Sequence, residues 1–350
     1  MIPIQNLYYL LCYAWNTLDE AKRVNIQIEQ FKNLPDLFAK VLINGLRVLF
    51  KRGLDHDYQE LEQVVEGIKG KLNLSATLKT QQLWQRRSIC QFDEYSADTP
   101  GNQILAATVQ HLLQTPAVDK SLKAELQQLQ RMFPPLKRIA LTPRAFQQVQ
   151  LRRDQRLYHF LLHICRIVAE NLLPTESVGQ FKFVDFRRDD RKMNRVFESF
   201  LFRFYQKEQQ EYWVRREQIR WQWEAPQDPQ HLNYLPIMET DVTLESANRK
   251  IIIDAKYYRQ PLGGSRFEVD KLFSSNLYQM YSYLLNQEQR DERSRVATGM
   301  LIYPQTDQPI RLDYRFGTHD ILIRSVNLNA HWREIHEELL GLIKVEEFRG

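Results

Sequence analysis

The most constraining feature of the chain is one short segment, Lys250-Ile251-Ile252-Ile253-Asp254-Ala255-Lys256. Three successive isoleucines read as a strand in a buried core, because β-branched side chains favour extended backbone. The charges on either side must then sit at the edge of that core. Upstream lies a second strand-like segment, Met238-Glu239-Thr240-Asp241-Val242-Thr243-Leu244, and a polar turn at 245–249 joins the two as a hairpin. Side chains alternate faces along a strand, so Asp254 and Lys256 point to the same side. Asp241 and Asp254 lie at the open ends of the two strands, and the hairpin brings those ends together. Glu239 competes with Asp241 for this place, but the Val-Thr-Leu strand starts at Asp241.

Two carboxylates and an ammonium at the edge of an apolar core are costly unless they are paired or hold a metal. Mg²⁺ takes hard oxygen ligands, commonly one or two carboxylates, with water and substrate phosphate completing the shell. Asp241 and Asp254 supply that pair, the Ala255 carbonyl offers a third oxygen, and Mn²⁺ suits the same donors. Lys256 would orient the attacking water or stabilise charge on a phosphate. The bland alternative is an exposed strand end with a surface Asp–Lys pair, worth little energetically. An Asp followed by Asp-x-Lys on an apolar strand resembles the active-site pattern of the PD-(D/E)xK nuclease superfamily. That resemblance implies two further site residues. One is Glu198, in the helix that precedes the strands. The other is Gln279, which shares a helix face with Tyr283 at i, i+4 as in the Q-x-x-x-Y element of RecB-like nucleases.

The rest of the chain supplies the frame. At about 100–200 residues per domain, 350 residues suggest two or three domains. Helices are expected over 4–20, 34–51, 98–114, 117–131, 145–173, 193–210, 271–286 and 330–344. Strands are expected around a turn within 58–80, and at 212–223, 237–244, 250–257, 298–303, 310–316 and 320–327. The fold class is α/β (α+β), with a mixed helix/strand domain at 1–175 and a second domain at 176–350 built on a central mixed sheet flanked by helices. Arg187, Arg188, Arg191, Lys192 and Arg195 alternate with Asp185, Asp189 and Asp190. That run reads as a solvated loop and helix start, with a phosphate backbone as the sharper alternative.

Composition excludes several classes. No stretch approaches the roughly 18 apolar residues of a membrane span, and the N-terminal segment lacks a basic n-region, so a cytoplasmic protein is expected. Cys12, Cys90 and Cys165 are too few and too far apart for a disulfide framework or a Cys-based zinc finger. His159 and His163 stand at i, i+4 but outside any H-E-x-x-H pattern, so they read as an ordinary helix face. The net charge of +5, from 48 basic and 43 acidic residues, permits an anionic partner without requiring one. The closest approach to a Walker A loop, Gly67-Ile68-Lys69-Gly70-Lys71-Leu72, lacks the first glycine and the Ser or Thr after the lysine. The chain is therefore not expected to bind a nucleoside triphosphate by itself.

Longer motifs extend the likeness across nearly the whole chain. They are Ile2-Pro3-Ile4-Gln5-Asn6-Leu7-Tyr8-Tyr9-Leu10-Leu11 with Tyr13-Ala14-Trp15, then Gly67-Ile68-Lys69-Gly70-Lys71, and Phe92-Asp93 ahead of Asp98-Thr99. In the second half they are Met238-Glu239-Thr240-Asp241, Asp254-Ala255-Lys256-Tyr257-Tyr258, Asn276-Leu277-Tyr278-Gln279 and Leu301-Ile302-Tyr303-Pro304. In these the sequence resembles the McrC family, the nuclease subunits of the McrBC 5-methylcytosine-specific restriction systems. The resemblance implies a restriction-endonuclease-like second domain that cuts double-stranded, methylated DNA. It also implies a partner, a McrB-like AAA+ ring that binds and hydrolyses GTP and recognises the modified DNA. The first domain, with its Gly67–Lys71 turn, would dock on that ring and stimulate hydrolysis. Rival readings are a non-catalytic adaptor that docks DNA or an AAA+ ring through a nuclease-like fold, and a nuclease that needs no partner.

Overall fold

The structure is a computed structural model. It describes residues 2–24, 31, 33–175, 180–224, 227–258, 262–263, 271–306 and 308–344. The chain divides into two compact units, Met1–Leu18 with Asp185–Gly350, and Asp19–Val184. The units therefore part at 184/185 rather than 175/176, a position that adjoins residues 176–179 outside the described set. The first helix also goes with the later half of the chain. Helix α1 (Ile4–Ala14) is too apolar to stand alone: Leu7, Leu10 and Leu11 are fully buried. It sets Tyr13 against Phe200 and Phe204, and the Asn6 side-chain amide donates to the Leu328 and Ala330 carbonyls. It ends earlier than the expected 4–20 because Asn16 takes φ +55, a left-handed conformation that Asn tolerates but a helix does not. A new helix starts at Leu18.

In this unit a six-stranded mixed sheet forms the centre. In chain order its strands are β1 (Trp213–Arg215), β2 (Val242–Glu245), β3 (Lys250–Ala255), β4 (Thr298–Pro304), β5 (Arg311–Phe316) and β6 (His319–Val326). They lie in the spatial order β5-β6-β4-β3-β2-β1. β3 is antiparallel to β2 and parallel to β4, so it is internal, and all six of its residues are buried. Helix α2 (Asp190–Glu208) starts at Asp189, whose carboxylate accepts from the Lys192 N–H, and buries Met193, Phe197, Phe200, Leu201 and Phe204 at helical spacing. Helix α3 (Ser274–Leu285) lays Met280, Tyr283 and Leu284 into a core with Ile252, Leu301 and Ile323. The approach is close: a Cβ on Gly299 of β4 would stand 2.6 Å from Met280 Sδ. Helix α4 (Trp332–Ile343) closes the chain on Ile335, Leu339 and Ile343.

Two expected strands are broken, and both breaks matter to the site. The 212–223 segment splits into β1 and a short strand Gln218–Ile219. The 237–244 segment splits into Met238–Glu239 and β2. Gln218–Ile219 and Met238–Glu239 pair with each other in a separate two-stranded ribbon. The breaks face one another: Glu217 N donates to Thr240 Oγ1 at 2.9 Å, and Thr240 N to the Glu217 carbonyl at 3.0 Å.

The second unit combines helices Leu34–Arg52, Pro100–Leu113, Lys120–Gln130 and Arg156–Asn171 with a three-stranded antiparallel sheet. The helix expected over 98–114 starts at Thr99, whose hydroxyl accepts from Asn102 N, with Pro100 in the first turn. Strand Asp57–Glu66 pairs over its full length with Arg87–Ser96, not with the segment after Gly70, and Leu74–Lys79 is helical. The expected helix over 145–173 is two helices, Pro143–Gln147 and Arg156–Asn171. Between them Gln155 accepts from Arg152 N, a local bond that competes with helix continuation, and donates to the distant Asp55. On Arg156–Asn171, burial pushes His163 down to about 4, helped by Arg166 and His159. Cys12, Cys90 and Cys165 are free and buried. Among the described residues no helix is long and apolar enough to cross a membrane.

Candidate active site

The hairpin register sets the site. Ile253 pairs with Val242, so the next position outward puts Asp254 beside Asp241. Asp241 has left the strand at the break, and its Oδ2 turns back to accept the Ala255 N–H at 2.8 Å. Asp254 is 1% exposed. Its Oδ2 lies 2.7 Å from Lys256 Nζ and has no other donor among the described residues. Lys256 is held by its backbone, since its N–H donates to the Ile302 carbonyl of β4 at 2.9 Å. Its ammonium also donates to Gln279 Oε1 at 2.9 Å. Gln279 in turn donates to Tyr283 OH at 2.7 Å, and Tyr283 OH to the Glu239 carbonyl at 2.9 Å. Helix α3 is thus tied to the end of β3 and to the Met238–Glu239 ribbon through the Gln-x-x-x-Tyr pair. Glu239 accepts through its backbone carbonyl; its side chain is exposed, and its charge adds to the rise of Asp241.

Glu198 comes to the same place from α2. Its Oε1 accepts from the Asn194 side chain one turn earlier, and Asn194 Oδ1 accepts from Tyr257 N at 2.7 Å. Asn194 therefore clamps Glu198 to the residue after Lys256. The structure brings all five expected residues together: Asp241, Asp254, Lys256, Glu198 and Gln279. Two neighbours were not read from the sequence. Asn194 stands at i−4 from Glu198, a polar helix pair that its spacing does signal. Arg216 had no local signal, because the strand break that brings it here is a tertiary feature.

The charges are mutually strained. Burial pushes the Asp254 carboxyl up to about 7, with Lys256 opposing and the Asp241 charge adding. Burial also raises Asp241, against the Ala255 N–H and the charges of Lys256 and Arg216. Glu198 is pushed up to about 7 by burial and by Asp241, with Lys256 opposing. For Lys256, burial favours the neutral amine, but Asp254 and Asp241 outweigh it and hold the ammonium above its ordinary range. The cluster carries more acid than base. A divalent cation fits such a donor set: two hard carboxylates side by side, with the Lys256 ammonium bonded to Asp254 and a third carboxylate, Glu198, close by. Among the described residues no three His, Cys, Asp or Glu side chains form a ready-made cage. Water and substrate would have to complete the shell, as Mg²⁺ commonly requires.

Three comparisons bear on identity. A family model described as McrBC 5-methylcytosine restriction system component matches residues 5–304. The Type IV methyl-directed restriction enzyme EcoKMcrBC of Escherichia coli K12 is 32% identical over 342 residues, covering 98% of this chain and 97% of that protein. A chain in the refined half-complex from the tetradecameric assembly of Thermococcus gammatolerans McrB AAA+ hexamers with bound McrC shares the fold. It has a TM-score of 0.53 and 18% identity, over 95% of this chain and 76% of that one. With the family model spanning most of its length, this chain belongs to the family of McrBC 5-methylcytosine restriction system components.

Proposed function

We propose that this chain is the endonuclease subunit of a modification-dependent restriction complex. It hydrolyses phosphodiester bonds of double-stranded DNA carrying 5-methylcytosine, in a cytoplasmic assembly of the kind that acts in phage defence. The observation that carries the reading is the convergence of Asp241, Asp254 and Lys256 at one end of a buried hairpin. Mg²⁺, or Mn²⁺ in its place, would be held by Asp241 and Asp254 and would supply charge neutralisation and Lewis-acid polarisation of the phosphoryl oxygen. Lys256, fixed between Asp254 and Gln279, orients the attacking water and holds positive charge against the phosphate. Gln279 aims the ammonium. Glu198, with its carboxyl pushed up to about 7, exchanges a proton close to neutral pH at the same place.

The second unit is the docking domain for a McrB-like AAA+ ring that binds GTP, and it stimulates hydrolysis there. Ile68 in the Gly67–Gly70 turn is 71% exposed and Trp84 is 90% exposed. Apolar side chains so fully exposed support a protein contact. The relative assembled with McrB hexamers supports the same partner.

The test is cleavage of methylated and unmethylated plasmid in Mg²⁺ and GTP, with and without the AAA+ partner. Wild type should cut only methylated DNA and only with partner and GTP. Lys256→Ala should not cut while still stimulating GTP hydrolysis. Cutting by the purified Lys256→Ala complex would overturn the site assignment.

A further inference from the structure

Helix α2 has two faces. Met193, Phe197, Phe200 and Phe204 fill the core. The other face carries Arg191, Arg195, Glu198 and Phe202 at spacings of four, three and four, which is one stripe along a helix. Glu198 is the site residue. Arg191 and Arg195 are exposed, and neither makes a hydrogen bond or ion pair with any described residue. At the far end of the stripe a third cation takes over. The Arg216 guanidinium lies 5.2 Å over the Phe202 ring, is exposed, and makes no ion pair with a described residue. The paired breaks at Glu217 and Thr240 hold its backbone next to Asp241.

These three differ from the other arginines nearby. Arg187 is forked on Asp185, and Arg215 bridges Glu217 and Glu245. Arg290 and Arg293 are paired with the same two glutamates. The acidic residues of the 185–190 run are also engaged locally: Asp185 holds Arg187 and Asp189 caps α2. A row of unspent cations flanks, on both sides, a site rich in carboxylates. Such a site repels a polyanion unless cations beside it offset the repulsion. With about 1.5 Å of rise per residue, Arg195 stands about 4.5 Å and Arg191 about 10.5 Å along α2 from Glu198. Phosphates recur about every 3.4 Å of axis along one DNA strand, so the stripe matches a few consecutive phosphates.

We infer that the exposed face of α2, with Arg191 and Arg195 on one side of Glu198 and Arg216 on the other, is the track that seats the DNA backbone and leads the scissile phosphate to Asp241 and Asp254. This rests on the nuclease reading above. Contacts of this kind position the strand without reading its sequence.

The test is affinity of the full chain for a fluorescent DNA duplex, without divalent metal, across a salt series. Each of Arg191→Gln, Arg195→Gln and Arg216→Gln should weaken binding and make the slope of log K against log salt shallower by about 0.9; the triple variant should change it by about 2.7. Arg195→Lys should keep the wild-type slope, because the charge is what counts. Arg311→Gln, an exposed arginine on edge strand β5, should change nothing. Melting temperatures of Arg191→Gln and Arg195→Gln should match wild type, since these side chains are exposed and bond to no described residue. Arg216→Gln also loses its place over Phe202 and beside Asp241, so its binding is measured at a temperature where it remains folded. A triple variant with wild-type affinity and slope overturns the track and leaves the nuclease reading standing. A wild-type chain that neither binds nor, with its partner, cuts DNA overturns both.

Discussion

Strand β3 has a lysine at its first position and another just past its last, and the two ends make opposite use of them. At the first end Lys250 is fully buried. Its ammonium lies 2.9 Å from Glu217 and donates to Ser294 at 3.2 Å and to Gln287. Arg215 and Arg290 converge on the same Glu217, and Arg293 joins through Glu245. Cations outnumber carboxylates there, and every acid is matched. At the other end Lys256 faces Asp254 and Asp241, with Glu198 close enough to feel all three charges. There acids outnumber bases. A buried cluster with matched charges holds a structure in register. A buried cluster with surplus acid stores repulsion that a metal or a proton can relieve. The charge balance, more than the presence of a lysine, separates scaffold from site.

The largest way to break this comparison is to exchange outcomes between the two ends. Asp254→Ala or Lys256→Ala should abolish cleavage by the complex while GTPase stimulation persists. Lys250→Met should leave turnover intact but cost about 1–3 kcal/mol in urea unfolding, because Glu217 Oε2, Gln287 and Ser294 lose the buried ammonium that joins them while Arg215 and Arg290 still pair with Glu217. If Lys250→Met kills turnover with stability unchanged, the distinction between the two ends is wrong.

The next effect is pH-dependent. Asp254 and Glu198 both ionise later in the folded protein than in the unfolded chain, since each is pushed up to about 7. The folded state then binds more protons between the ordinary carboxylate range and about 7, so stability falls as pH rises through that window. Without metal, the two carboxyls pull the melting temperature down from pH 5 to pH 8, while His163, pushed down to about 4, pulls it up over the lower part of that window. Wild type should therefore lose more over the window than Asp254→Asn. Mg²⁺ should restore it at pH 8 in wild type and not in Asp254→Asn. The same pH dependence in wild type and Asp254→Asn would remove the argument for stored repulsion.

Smaller effects sharpen the roles of the supporting residues. Gln279→Ala frees Lys256 from α3 and should lower kcat about 10–100-fold with KM little changed, the usual scale for a residue that orients a ligand or catalytic group. Asn194→Ala removes two hydrogen bonds that join Glu198 to the end of β3. It should cost about 1–2 kcal/mol in stability and only a few-fold in rate. An equal loss from both variants would mean that Glu198 matters as much as Lys256.

Much of this was legible beforehand. The hairpin, the Asp241–Asp254–Lys256 group and the Gln279–Tyr283 face follow from local periodicity, because strand alternation and helix spacing are properties of a few adjacent residues. The start of the 98–114 helix, capped at Thr99 with Pro100 in the first turn, is equally local. The misread elements share one cause. Strand Arg87–Ser96 is defined by a partner twenty and more residues away. The helix break before Arg156 depends on Asp55, about a hundred residues distant, and the first helix joins the later half through contacts across most of the chain. None of these has a signature within a short window.

The sequence by itself determined that a buried hairpin would carry acids and a lysine at its edge, because charges flanking an apolar β-branched run have nowhere else to go. It also determined the family, through motifs that span both halves. Only the tertiary structure decided that Glu198 reaches those acids, that Asn194 clamps it there, and that a strand break carries Arg216 to the same mouth. Those placements depend on how α2 crosses the sheet and where two strands part together. They are set by the sum of many apolar contacts rather than by any residue's neighbours in the chain.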